Sequence, residues 1–214
     1  RIGNRPGSLG ARASPPALAG ETVPLSVRIE GYAIVSEDGM LANAEGVMPD
    51  SLKVEADRRF FEQKLDGVDV VVHGRHSREQ DENSQDRRRI IVTRQVLALG
   101  SDPSNARALF WNPAGATLEQ ALTMLGSPLS SIGVLGAADV FDIFLDRFDV
   151  FYLSRVSGVW LPGGRPIFRG IPPNTPEEVL ALHGMSFLRN EVNVDGLTIA
   201  SWRRSRRILS SEPN

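Results

Sequence analysis

Three groups of residues in this sequence have types and spacings suited to chemistry. The first centres on Asp57. At about 100° per residue, a helix over 51–65 puts Val54, Phe61 and Leu65 on one side and Ala56 and Phe60 on the other. Glu55, Arg58, Arg59, Glu62 and Asp66 form its charged face, so Asp57 interrupts the apolar part. A carboxylate there is costly unless it is paired or binds a ligand. Two readings stand side by side. Asp57 pairs with Lys53 or Lys64 along the same line of the helix, or it hydrogen-bonds a ligand beside Phe61, one turn on.

The second group lies at two strand ends. In 68–77 (VDVVVHGRHS) a β-branched run ends in Gly74, Arg75, His76 and Ser77, and in 89–94 (RIIVTR) a similar run ends in Thr93 and Arg94. Two arginines and two hydroxyls at neighbouring strand ends can clamp a phosphate dianion, because guanidinium forks match its geometry. A solvated rim of arginines explains the same residues. The third group is Leu135, Gly136, Ala137 and Ala138, ahead of a helix over 139–148. Small residues let a backbone approach a ligand, and a helix N-terminus favours an anion. Asp139 opposes this with a negative charge in the first turn, and a tight turn that needs small residues for packing explains the spacing more simply. His73, His76 and His183 have no metal-ligand spacing with acids and are read as structural or surface residues, so no metal is expected. There is no GxSxG, Walker or HExxH pattern.

These groups need elements to position them. Strands are expected over 26–36, 68–73, 89–93, 107–111, 131–135 and 150–156, and near 186–189 and 197–203. Helices are expected over 51–65 with Ser51 as N-cap, from Thr117 to Leu125, and over 139–148, where 140, 141, 144, 145 and 148 are apolar. Asp38-Gly39 closes the first strand, 77–86 is a polar loop, and 161–176 is rich in Pro and Gly. Strands alternating with helices predict an α/β fold with a central, mostly parallel sheet, an antiparallel C-terminal edge and helices on both faces. In such sheets ligands sit at the carboxyl ends of the strands, which puts Gly74 and Gly136 on one rim.

The chain has 214 residues, 41% hydrophobic and 23% charged, enough for one globular domain. Residues 1–24 show no period and read as a mobile leader or an artificial remnant, ahead of a single domain over 25–214. No apolar run approaches the roughly 20 residues that span a bilayer, and no secretory h-region is visible. Without cysteine there are no disulfides or thiolate metal sites, which suits a cytoplasmic location. The net charge is −2, so no global field for nucleic acid is expected. The arginines over 203–207 are read as a solvated face.

In order and spacing, the motifs resemble the dihydrofolate reductase-like superfamily, which holds the dihydrofolate reductases and the reductase domain of riboflavin biosynthesis. The resemblance runs from about Arg28 to Phe168 and rests on five pieces: YAIVSEDGMLA, a helix with DxxxFF, VVVHGRHS, RIIVTR, and VLGAADVF followed by VFYLSRV. It implies a three-layer NADPH-binding fold and an NADPH-dependent reductase acting on a pterin or a related pyrimidine of folate or riboflavin metabolism. On the family's pattern Asp57 is the substrate-binding and catalytic carboxylate, Phe61 packs on the substrate ring, and Ser154 helps bind it. Gly74, Arg75, Ser77, Thr93 and Arg94 match the segments that meet the adenosine 2′-phosphate. Gly136, Ala137 and Ala138 match the glycine turn at the nicotinamide end and pyrophosphate, and Ile34 and Leu41 line the nicotinamide pocket. Three positions depart from the pattern. Ala137 replaces the usual second glycine, Pro49-Asp50 stands where dihydrofolate reductases usually have Pro-Trp, and Met40 stands where riboflavin-pathway reductases often have Lys. A nucleotide-binding protein without catalysis is the alternative on the same fold. The expected partners are a small heterocycle, with a homodimer left open, and neither nucleic acid nor a membrane.

Overall fold

The computed structural model describes residues 27–75, 86–126, 129–194 and 196–205. The expected leader, His76, Ser77, most of the polar loop after them and the end of the arginine run lie outside this range. The strands are β1 (Arg28–Val35), β2 (Met40–Ala42), β3 (Val70–Gly74), β4 (Arg88–Val92), β5 (Leu99–Ser101) and β6 (Ala108–Trp111), then β7 (Ser131–Val134), β8 (Val150–Val156), β9 (Arg165–Pro166), β10 (Met185–Val194) and β11 (Leu197–Arg204). The helices are α1 (Glu55–Leu65), α2 (Leu118–Leu125), α3 (Ala138–Phe144) and α4 (Pro176–Leu182).

Among the described residues, nine strands form one sheet in the order β10-β11-β8-β1-β7-β3-β4-β6-β5. From β8 to β6 the neighbours run parallel. β11 adds to β8 antiparallel, β10 hairpins onto β11, and β5 closes the far edge antiparallel to β6. The α/β class, the parallel centre and the antiparallel C-terminal edge are as expected. β2 and β9 pair in a small second sheet, which was not expected.

Period-two alternation gives the large sheet two different faces. Ile29, Val70, Val72, Ile90, Ile132, Val134, Phe151 and Leu153 belong to one buried cluster with Leu118 of α2 and Phe141 and Phe144 of α3. Tyr32, Ile34, Val71, Tyr152 and Ile199 belong to the other, under Phe60, Phe61 and Leu65 of α1.

Several expected boundaries move. Ser51 does not cap α1. It sits in a 3-10 turn over Asp50–Leu52, anchored by buried Leu52, and Lys53 bends back so that its ammonium lies 2.7 Å from Asp50. Val54 is the N-cap, and the helix begins at Glu55. α3 ends at Phe144, short of the expected 148. β10 runs well past the expected 186–189, and β5 and α4 were not expected.

Candidate functional site

α1 lies over β1 and β8 and carries Asp57 and Phe61. Ile34 of β1 and Ser154 of β8 are register partners and share the face toward α1. These four residues and Leu41 line a cavity of about 1400 Å³, whose wall also includes Gly136, Ala137 and Ala138. Eight of the residues expected to bind substrate or cofactor therefore meet in one space.

Burial pushes the Asp57 carboxyl above its ordinary range, and a hydrogen bond from the Ser154 hydroxyl pulls the other way. The two lysines that could have paired with it are engaged elsewhere. Lys53 binds Asp50. The Lys64 ammonium donates to Tyr152 Oη at 3.1 Å and lies 4.6 Å from the centre of that ring. Asp57 thus stands in the wall of a cavity with a hydroxyl for a partner and no cation from its own helix line.

Aromatic rings support this wall. Phe61 meets Tyr32 edge-on at 6.0 Å, and Tyr32 stacks on Tyr152 at 5.3 Å. The Tyr32 hydroxyl donates to buried Glu30, whose other oxygen lies 2.7 Å from Arg28. Burial, then the neighbouring Glu30 charge, holds the Tyr32 phenol far above its usual range, so it stays neutral. Tyr32, Tyr152 and His73 also line the cavity and were not among the expected site residues. Tyr32 and Tyr152 each precede an expected residue by two along a strand, so the period-two pattern carried the signal. His73 is buried, not a surface residue. Its Nδ1 is 2.8 Å from the Gly74 carbonyl, and its Nε2 is 3.4 Å from the Arg89 guanidinium. With Nδ1–H assigned as the donor, Nε2 accepts from Arg89. Burial lowers its pKa, so the ring is neutral.

The expected phosphate clamp lies at neighbouring strand ends. Gly74 N–H donates to the Gly136 carbonyl at 3.3 Å, which ties the end of β3 to the turn after β7. Gly74 also pairs with Val92, directly before Thr93. Thr93 is buried, and its hydroxyl accepts from Gln95 N–H. Arg75 and Arg94 are exposed. Among the described residues, the cavity wall includes the Gly136 turn but not Gly74, Arg75, Thr93 or Arg94. Ser77 lies outside the described residues. The Gly136–Ala137 peptide is cis, and Gly136 has φ +46°, where a Cβ would come 2.5 Å from the Phe141 ring. This position requires glycine, whereas the next accepts alanine. The small wall of Ala137 and Ala138, with apolar Ile34 and Leu41, suits a flat ring such as nicotinamide. A largely buried acid with Phe61 beside it suits a planar heterocycle that presents two N–H donors.

No protein-family model matches the sequence, and neither does any curated protein. Solved structures do share the fold. A diaminohydroxyphosphoribosylaminopyrimidine deaminase/5-amino-6-(5-phosphoribosylamino)uracil reductase from Thermotoga maritima is similar with a TM-score of 0.59 at 16% identity, over 84% of this chain. The chain spans 57% of the length of that protein. A protein assigned to riboflavin biosynthesis in Shewanella sp. PV-4 gives 0.60 at 17% identity, over 84% of this chain and 100% of that one. Dihydrofolate reductase from Enterococcus faecalis, complexed with NADP(H) and RAB-propyl, gives 0.54 at 16% identity, over 84% and 97%. What these comparisons share with the chain is the fold, which is dihydrofolate reductase-like.

Proposed function

We propose that this chain is an NADPH-dependent reductase of a pterin, or of a related pyrimidine of folate or riboflavin metabolism. The observation that carries the reading is the place of Asp57: a largely buried acid sharing one cavity wall with Phe61, Ser154 and the small-residue turn at Gly136. Fold neighbours that are reductases, one of them complexed with NADP(H), support it.

In this reading Asp57 accepts two hydrogen bonds from the amidine-like edge of the substrate and polarises the ring. The low-polarity surroundings strengthen that interaction. Ser154 orients the carboxylate, and Phe61, braced edge-on by Tyr32, packs on the heterocycle. Ile34, Leu41, Gly136, Ala137 and Ala138 receive the nicotinamide end. Gly74, Arg75, Ser77, Thr93 and Arg94 hold the 2′-phosphate end. When bound, the cofactor supplies the hydride. The chain's own residues align the rings, keep Asp57 in place and let water deliver the proton.

A panel of dihydrofolate, dihydropterins and ribosylamino-pyrimidinones, assayed by NADPH oxidation, tests the reading. Turnover of at least one is expected. NADPH binding without any turnover would point to a non-catalytic nucleotide-binding protein. A failure to bind NADPH would remove the cofactor assignment altogether.

A further inference from the structure

Two arginines from separate parts of the chain meet one carboxylate beside the Gly136 turn. Arg94 follows β4, and its guanidinium lies 3.8 Å from Asp139. Arg169 follows β9, and its guanidinium lies 3.4 Å from the same carboxylate. Arg169 also lies 3.0 Å from Asp142, one turn along α3, and its backbone N–H donates to that residue at 3.2 Å. Asp139 directly follows Ala138, and both line the cavity.

The side chains of Arg94, Arg169 and Asp139 are 90%, 80% and 67% exposed. Exposed pairs of this kind contribute little to folding stability, so the fold does not depend on them. The same exposure leaves the Arg94 guanidinium and the Nη2 end of Arg169 free to exchange Asp139 for another anion, while the Arg169 Nε stays on Asp142. A phosphate offers them more charge and a better match to their forked donors than a single carboxylate does. The carboxylate itself repels any phosphate placed beside it.

We propose that Asp139 sets cofactor affinity as a built-in counter-anion: it holds Arg94 and Arg169 in the ligand-free protein and yields them to a phosphate of the dinucleotide. Arg169 is then a phosphate-binding residue in addition to the strand-end arginines. This rests on the dinucleotide reading proposed above, and it makes wild-type affinity lower than the arginines alone would give.

The test compares wild type with Asp139→Asn, measuring Kd for NADPH and for NADH at low and high salt. The variant is expected to bind NADPH roughly three- to ten-fold more tightly at low salt, the scale of one or two released exposed pairs. The gain should shrink at about 0.5 M salt, where such interactions are screened. A gain for NADPH alone identifies the 2′-phosphate as the displacing group, and an equal gain for NADH identifies the diphosphate. Arg169→Ala in the Asp139→Asn background should cancel the gain. An unchanged or weakened Kd in Asp139→Asn, with only a lowered Tm, would overturn the proposal and leave Asp139 as a helix-end charge. If neither protein binds either dinucleotide, the cofactor reading fails first and this inference fails with it.

Discussion

Alternate residues of the same strands build the two faces of the sheet, and the faces differ in what they bury. On one, β8 contributes Phe151 and Leu153 to a dry core in which Phe141, Phe144, Phe148 and Phe168 are almost wholly inaccessible. Phe151 meets Phe148 edge-on at 5.0 Å and Phe141 at 5.5 Å. On the other, β8 contributes Tyr152 and Ser154, and α1 leaves Phe60, Phe61 and Asp57 only partly covered, above a cavity of about 1400 Å³. Close packing concentrates stability on the first face. The second accepts polar groups and empty space, which a stability criterion alone would remove but a binding site requires.

Paired substitutions on β8 test this division most strongly. Phe151→Ala should cost about 3–5 kcal/mol in urea unfolding, because it empties a fully buried site among Phe141, Phe148 and Phe168. Tyr152→Phe, one residue along and on the other face, should cost no more than about 1 kcal/mol, since it loses one hydroxyl contact with Lys64 and keeps its ring. Equal losses would erase the distinction. Gly136→Ala falls between them. With φ +46° and Phe141 at 2.5 Å from the new Cβ, it should cost about 1–3 kcal/mol and shift the urea midpoint accordingly. A midpoint unchanged from wild type would mean the turn yields without strain.

The smallest effect concerns the charge on Asp57. Its folded pKa is raised by burial. Stability tied to the protonated form is therefore fully present below the unfolded pKa and is lost as pH rises through the folded value. Asn carries no charge, so Asp57→Asn should match wild-type Tm below about pH 4, exceed it by a growing margin as pH rises to the folded pKa, and keep that margin above it. A difference that does not vary with pH would place the carboxylate in water.

Much of this division was legible in the sequence, for reasons specific to each residue. Asp57 stood out because it breaks an apolar stripe, and that stripe is what α1 buries. The parallel centre followed from continuous β-branched runs such as Val70, Val71 and Val72. Ser51 misled because a serine ahead of a periodic segment serves a 3-10 turn as readily as a helix cap. α4 was hidden by its setting. Thr175-Pro176-Glu177-Glu178 is a capping box with Pro at the first helical position, but it follows a Pro- and Gly-rich stretch that reads as loop. β10 was underestimated because, as an edge strand, it exposes Phe187, Leu188 and Val194 and so shows little alternation. The meeting of Arg169 with Asp139 could not be read from the chain, since the tertiary fold alone brings the two segments together.

The central claim is that Asp57 serves the substrate and not the cofactor. It is tested most directly by measuring NADPH affinity and NADPH oxidation side by side for wild type and Asp57→Asn, with whichever heterocycle supports turnover. The account predicts a Kd for NADPH within about two-fold of wild type and a turnover lower by about a hundred-fold or more. Turnover that survives the substitution, or a loss of NADPH binding that alone explains its fall, would contradict it.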